Sequence, residues 1–519
     1  MLRLNKNKNI LLSLRDRELN SVTEPYRLSL NVISQFIRSD TTYYKQNWSK
    51  ESKKPMTYEF GHLYFEDYSL CYSVCGHEGR PSLSHHFMAK NARKKIIDVI
   101  TYNTPICKTY ENCKCELSKC SCTSSFILCL TEDNWLCQYN LSTGKLLTEV
   151  YVLPTDFKLN FKYCDWDRYG ETIVLTSQRN PFKEKFYASE SQHLNKDDVV
   201  VNIAVFKAFP IQFIALLEVK RSVFGVACKH VNVGDGLLIL GINHDRVHIY
   251  SFNDVLDEGD LEPFKLGDEY RTNGKIGEYP TGLPLNLNIS TAPPLLFDIH
   301  CYAQSVGFGG FPYHCIFADP QFQLRFSIKN IAEVLPTSSM TNYVESNVWN
   351  DEPDIVSFHP DNSNRIISRE LYRVRVYNMV YTDGKLELKE SHRMEFPKCE
   401  RNETPGVSRF GRRTTRSHFN FFLTERTILA TDYDDELDLF GILGVCKGDP
   451  THQGFVKLYD SFNGKEVKTV ELKISLCETG YYTLHLDREL IIIIEKNLKP
   501  MQCVYVYNIA ECLYSATTI

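Results

Sequence analysis

One element recurs along this chain: a short apolar–x–apolar–aromatic run, usually closed by a small polar residue. It reads LCQYN (136–140), IAVFK (203–207), VHIYS (247–251), VRVYN (374–378), VKLYD (456–460) and VYVYN (504–508). Runs of this kind, bounded by turn residues, are strand ends. In YNLSTGKLLTEVYV, YNMVYTDGKLELK and YDSFNGKEVKTVELK the strand passes through a Gly-Lys turn into a second strand. SFHPDNSNRIIS (357–368) has the strand-turn-strand shape of a propeller blade. The aromatic positions Tyr139, Phe206, Tyr250, Tyr377, Tyr459 and Tyr507 lie 44 to 127 residues apart, whereas a WD-type blade takes roughly 40–45 residues. The spacing therefore predicts a mainly β chain folded as a degenerate WD40-like β-propeller of about seven blades. Its first blade is expected near TYEFGHLYFEDYSLCYSV, and long insertions fill the wider gaps. The regular Gly-His and Trp-Asp signature is missing from most units, and an array of β-sandwiches is the competing architecture.

Ahead of the strands, residues 1–45 read as a helical arm. Thr23 is the expected N-cap and Pro25 sits in the first turn, where its missing N–H costs little. Leu28, Val32, Ile33, Phe36 and Ile37 then recur at helical spacing, opposite Arg27, Asn31, Gln35 and Arg38. A shorter helix is expected around NILLSLRDREL (9–19). The propeller is expected to run from 55 to 515, with a Cys-rich loop at 105–125 and an Arg-rich loop at 400–418.

The formal net charge is −5, with both signs mixed along the chain, so nothing resembles the basic footprint of a nucleic-acid binder. The strongest basic cluster, Arg409, Arg412, Arg413 and Arg416, reads as a solvated loop. The N-terminus lacks a signal peptide's unbroken apolar stretch. The chain is therefore expected inside the cell, with most of its eighteen cysteines as free thiols. VVVNIAVFKAFPIQFIALLEV (199–219) is long enough to span a bilayer, but Asn202, Lys207, Pro210, Gln212 and Glu218 interrupt it. Charged groups at the centre of a span are costly, so the segment reads as two strands joined near Pro210. A multi-pass membrane reading would be a hydropathy artefact.

No catalytic motif survives inspection. GVSRFG (406–411) is one residue too long for a nucleophile elbow, and GFGGFP (307–312) runs into proline rather than a helix. The acidic run DYDDELDL (432–439) lacks the glycine and ligand order of a calcium loop and reads as a solvated loop entering a strand. His85 and His86 read as a solvated pair. The densest candidate for chemistry is CKTYENCKCELSKCSC (107–122), where Cys113, Cys115, Cys120 and Cys122 form C-x-C-x4-C-x-C. Closed as a hairpin, it would set four sulfurs on one face, the ligand set of a tetrahedral zinc. Residues two apart on a strand are more widely spaced than a C-x2-C knuckle, so the hairpin would have to kink. A loop of reduced thiols is the competing reading.

Six colinear stretches resemble the DDB/cullin-4-associated factors: TYEFGHLYFEDYSLC (57–71), FKYCDWDRYGETIVL (161–175), GLPLNLNISTAPPLLFDI (282–299), VSFHPDNSNRII (356–367), DYDDELDLFGILGV (432–445) and LHLDRELIIIIEKNLKPMQCVYVYNI (484–509). The resemblance implies a non-catalytic substrate receptor without a cofactor. Such a receptor clips onto the DDB adaptor and the cullin-4 RING ligase core and presents a target protein for ubiquitination. It also implies a nuclear or nucleolar location, the cytosol being open as well. The arm would dock in the adaptor through Leu28, Val32, Ile33, Phe36 and Ile37, as a helix in a groove. Many relatives carry W-D-x-R at a blade strand end, with the arginine on the adaptor. Here Trp166, Asp167 and Arg168 are contiguous, so the arginine comes one position early. The alternatives are a propeller scaffold of another nuclear or cytosolic complex and a zinc protein built on the cysteine run.

Overall fold

The computed structural model describes residues 24–59, 61–74, 81–87, 95–105, 123–141, 143–153, 160–167, 172–179, 198–208, 210–234, 236–242, 246–270, 274–300, 306–309, 314–319, 325–330, 343–344, 355–361, 363–370, 373–382, 385–395, 428–445, 453–477, 480–496 and 501–509. The helix expected at 9–19, the cysteine run and the Arg-rich stretch lie outside them.

Among the described residues the strands assemble into eight sheets of four or more strands, each containing a four-stranded antiparallel up-and-down unit. Blades 1 to 7 cover 57–86, 96–151, 161–220, 228–300, 306–344, 355–395 and 428–475. Blade 8 takes three strands from 481–509 and its fourth, Tyr44–Ser52, from the other end of the chain. Each neighbouring pair of blades shares a hydrophobic core, and the eighth such core joins blade 8 to blade 1. The ring is thus closed, which removes the sandwich alternative. Consecutive first strands approach one another and so line the inside of the ring.

All six aromatic repeats lie on third strands, and their side chains are buried. About seven blades were expected and eight sheets are described; blade 1 lies where TYEFGHLYFEDYSLCYSV placed it, and blade 5 carries no copy of the signature. The strand Tyr44–Ser52 also belongs to the ring, ahead of the boundary expected at 55. The apolar segment 199–219 is a hairpin of Val199–Lys207 and Gln212–Lys220, turning at Pro210 as expected. Among the described residues no helix is long and apolar enough to cross a membrane.

Blade-on-blade stacking explains the unbroken apolar runs. In Leu490–Lys496, alternate residues point to opposite faces. Ile491 and Ile493 enter the core shared with blade 7, while Leu490, Ile492 and Ile494 enter the core shared with blade 1. A strand buried on both faces shows no polar alternation.

Two of the Gly-Lys turns share one construction. In each, the last residue of the third strand, Asn140 or Asp460, accepts from a left-handed glycine, Gly144 (φ +66°) or Gly464 (φ +69°), at 2.8 Å. A histidine from the preceding blade's outer strand lies against that glycine. A Cβ on Gly144 would stand 2.4 Å from His85 Nδ1, and one on Gly464 would stand 2.3 Å from His392 Cδ2. His85 thus has a structural place, in contrast to the solvated pair expected.

Carboxylates fasten the inner strands from blade to blade. Asp98 accepts from Cys164 N (2.8 Å), Asp167 from Gly236 N (2.8 Å), Asp432 from Leu486 N (2.7 Å) and Asp434 from Arg488 N (2.8 Å). The acidic run expected to be a solvated loop is therefore split. Asp435, Glu436 and Asp438 are exposed, whereas Asp434 is buried and also accepts from Leu437 N at 2.8 Å. Burial pushes the Asp434 carboxyl up to about 6, against the two backbone donors.

Replacing Gly464 with alanine is expected to cost about 1–2 kcal/mol through the left-handed backbone, plus the clash with His392. Thermal unfolding of a double-mutant cycle checks this: the alanine should cost less in His392→Ala than in the wild type. The Asp434 shift has a definite sign. A carboxyl whose folded value lies above its unfolded one binds more protons in the folded state, so its charged form weakens the fold above about pH 6. Urea titrations at pH 7.5 and 5.5 should show the wild type gaining on Asp434→Asn by on the order of 1 kcal/mol at the lower pH.

Candidate docking surface

The arm is present as one described helix, α1 (Glu24–Arg38). Arg38 in its last turn suits the negative end of the helix dipole. Beyond it the chain tightens, with Ser39 N donating to Phe36 O at 3.0 Å, and then enters the closing strand at Tyr44. Lys468 Nζ, from the outer strand of blade 7, donates to Ser39 O at 2.9 Å. It caps a chain end whose carbonyls have no partner within the helix.

The five residues expected on one docking face are divided between two environments. Ile33 and Ile37 are buried in the core shared by blades 7 and 8, with Leu30 packed beside them. Leu28 is 58% exposed and Val32 38%, and Phe36 is half-buried between the two groups. The physical reason is the width of the apolar face. The stripe Leu30, Ile33, Ile37 seals the seam where the two chain ends meet, and the adjacent stripe Leu28, Val32, Phe36 is carried outward. The expectation that all five residues are anchors is corrected in this respect: Ile33 and Ile37 are already committed to the chain's own core.

Other apolar groups share this side of the ring. First and third strands of every blade run in the same direction, so their ends emerge on one face. That face carries the entry to the closing strand, with Tyr43 64% exposed, and the turn after Asp460, with Phe462 77% exposed. Trp166 and Asp167 also emerge there, but in blade 3 and at the end of a first strand. Trp166 stacks on Tyr102 of blade 2, with centroids 5.5 Å apart and planes at 15°. Asp167 is buried and holds Gly236 N of blade 4. Both side chains thus brace neighbouring blades, and the structure does not bring them together with α1. Arg168 lies outside the described residues.

Cys113, Cys115, Cys120 and Cys122 also lie outside the described residues. Among the described residues no group of three or more His, Cys, Asp or Glu is placed to hold a metal. The described cysteines are free thiols, mostly buried, and burial raises Cys71 to about 12 and Cys228 to about 11. Such thiols are inert at neutral pH.

Sequence reasoning missed the carboxylate fastenings, because an aspartate at a strand end reads equally as a solvated turn residue. Ser461, His359 and Asp361 were missed too. His359 Nε2 lies 2.9 Å from Ser461 Oγ and His359 Nδ1 2.9 Å from Asp361 Oδ1, the bonding order of a hydrolase triad. Ser461 and His359 are buried, at 0% and 2% exposure, so no substrate reaches them. The network joins blades 6 and 7, and Arg365 reinforces it by bonding both Asp361 and Ser461 O.

Comparison with known proteins places the chain. It is 26% identical to human "DDB1- and CUL4-associated factor 17" over 501 residues, covering 93% of this chain and 91% of the relative. The protein of that name from Danio rerio is 27% identical over 490 residues, covering 92% and 90%. Among solved structures, the Cps50 (Swd1) beta-propeller domain of Myceliophteria thermophila aligns over 73% of this chain and 92% of its own, at 8% identity and a TM-score of 0.34. That likeness is too remote to carry an argument. A family model described as "DDB1- and CUL4-associated factor 17" matches residues 28–509, from the exposed edge of α1 to the last strand of the ring. The chain therefore belongs to the DDB1- and CUL4-associated factor 17 family.

Proposed function

We propose that this chain is the non-catalytic substrate-receptor subunit of a cullin-4 RING ubiquitin ligase. In this reading it docks on the DDB adaptor through the outward stripe of α1 and presents a target protein on its propeller. It works in the nucleus or nucleolus. The observation that carries the reading is the family match over residues 28–509. The divided face of α1 supports it: a helix that only sealed its own seam would have no use for Leu28 and Val32 at 58% and 38% exposure. An apolar stripe with i, i+4, i+8 spacing suits a hydrophobic groove, and Tyr43 and Phe462 extend apolar surface on the same face.

The geometry also selects the experiment. Removing the whole arm would strip Ile33 and Ile37 from the core of the closing seam, so loss of binding would be confounded with loss of fold. Point variants separate the two. Leu28→Asp with Val32→Asp is expected to abolish co-purification with the adaptor while leaving the melting temperature within a few degrees of the wild type. Ile33→Ala with Ile37→Ala is expected to destabilise the propeller by several kcal/mol, since each deletes a buried aliphatic side chain. Undiminished association of the Leu28/Val32 variant with the adaptor would sink the docking mode. Recovery of other partners in place of the adaptor would support a scaffold of a different complex.

A further inference from the structure

The seam between blade 8 and blade 1 carries an aromatic cluster that the docking surface does not use. Trp48 and Lys50 stand two apart on the closing strand and so share one face. Phe65 and Tyr72 come from the strands His62–Phe65 and Leu70–Ser73 of blade 1 and meet them across the shared core. Phe65 and Tyr72 have centroids 5.1 Å apart with planes at 71°. Trp48 lies 6.2 Å from Phe65 at 85° and 6.1 Å from Tyr72 at 41°. The three rings thus pack together, tilted or edge to face, at one corner of the seam.

A cation lies over two of these rings. Lys50 Nζ lies 4.6 Å from the Phe65 centroid and 4.4 Å from that of Tyr72, and it donates to Tyr72 Oη at 2.9 Å. Among the described residues no carboxylate pairs with it, so ring faces and one phenol oxygen are what stabilise the ammonium there. The electron-rich faces favour positive charge as such. A primary ammonium is a poor occupant, because it is strongly hydrated and brings three N–H donors, of which Tyr72 satisfies one. A methylated ammonium sheds its water at lower cost and fills an aromatic box with methyl groups.

We propose that Trp48, Phe65 and Tyr72 form a recognition site for a methylated ammonium, the trimethyllysine of a partner protein, with Lys50 as a resident plug that the ligand displaces. Phe65 is the buried floor of the site, and Trp48, Lys50 and Tyr72 are half-buried at its rim. Withdrawal of the Lys50 side chain opens the floor. The site is on a different seam from α1, and Trp48, Phe65 and Tyr72 are not part of the docking stripe.

Calorimetric titration of the full chain tests this with three probes: a short peptide carrying one trimethyllysine, the same peptide unmethylated, and choline. Lys50→Ala is expected to bind the methylated peptide at least tenfold more tightly than the wild type does, and at least tenfold more tightly than the unmethylated peptide. Tyr72→Phe keeps every ring and removes the hydrogen bond to the plug, so it should show a smaller gain in the same direction. Adding Trp48→Ala should erase the gain. The proposal is overturned if Lys50→Ala, melting like the wild type, binds no better. It is also overturned by a gain that survives loss of Trp48, or by a gain for choline alone. Should Lys50→Ala fold poorly, Tyr72→Phe decides the matter by the same comparison.

Discussion

The ring stands on one pairing, that of Tyr44–Ser52 with Gln502–Ile509, which joins the two ends of the described chain. Each blade buries both of its faces against neighbours, so an open ring would leave two whole apolar faces in water. Closing the last blade with a strand from the other end removes both at once. It also makes the fold depend on contacts between the most distant parts of the sequence. Local reinforcement gathers there: Met56 N donates to Gln502 Oε1 at 2.9 Å, and Asn47 bonds Asn508.

The helix before that strand inherits its position from the closure. Because α1 leads directly into Tyr44, it has to lie over the seam of blades 7 and 8, and its inner stripe completes that core. The outer stripe is then presented in a fixed orientation on the face where first and third strands end. Arm and propeller are therefore one mechanical unit. A partner that grips Leu28 and Val32 grips the closing blade as well.

Polar groups in this ring work mainly as fasteners between blades. Asp98, Asp167, Asp432 and Asp434 each satisfy a backbone N–H on the next blade, where an unpaired buried N–H would be costly. Trp166 and Asp167, which attract attention as a displaced docking motif, have this role as well. The Ser461–His359–Asp361 chain shows that a triad's bonding order can serve packing: with Ser461 and His359 covered, the three groups hold two blades together.

The repeat of third-strand aromatics was legible in the sequence because each copy is local: alternation, an aromatic, a turn. The strand pair across Pro210, the strand-turn-strand at 357–368 and the helical face of 28–37 were legible for the same reason. Blade 5 lacks the aromatic mark, so the count of eight emerged only from strand pairing. No local pattern says that 44–52 pairs with 502–509, because that register is set by closure of the ring. Nor does periodicity divide an apolar helix face into a sealed stripe and a presented one; the seam beneath it does that. The ring cluster at Lys50 falls within residues 48–72, yet it forms only because Tyr44–Ser52 leaves its sequence neighbours to close blade 8 and so faces blade 1 across a seam. The sequence by itself determined what each strand and helix would be. The tertiary structure alone decided which faces were left over for a partner, because exposure is what remains after every blade has covered its neighbour.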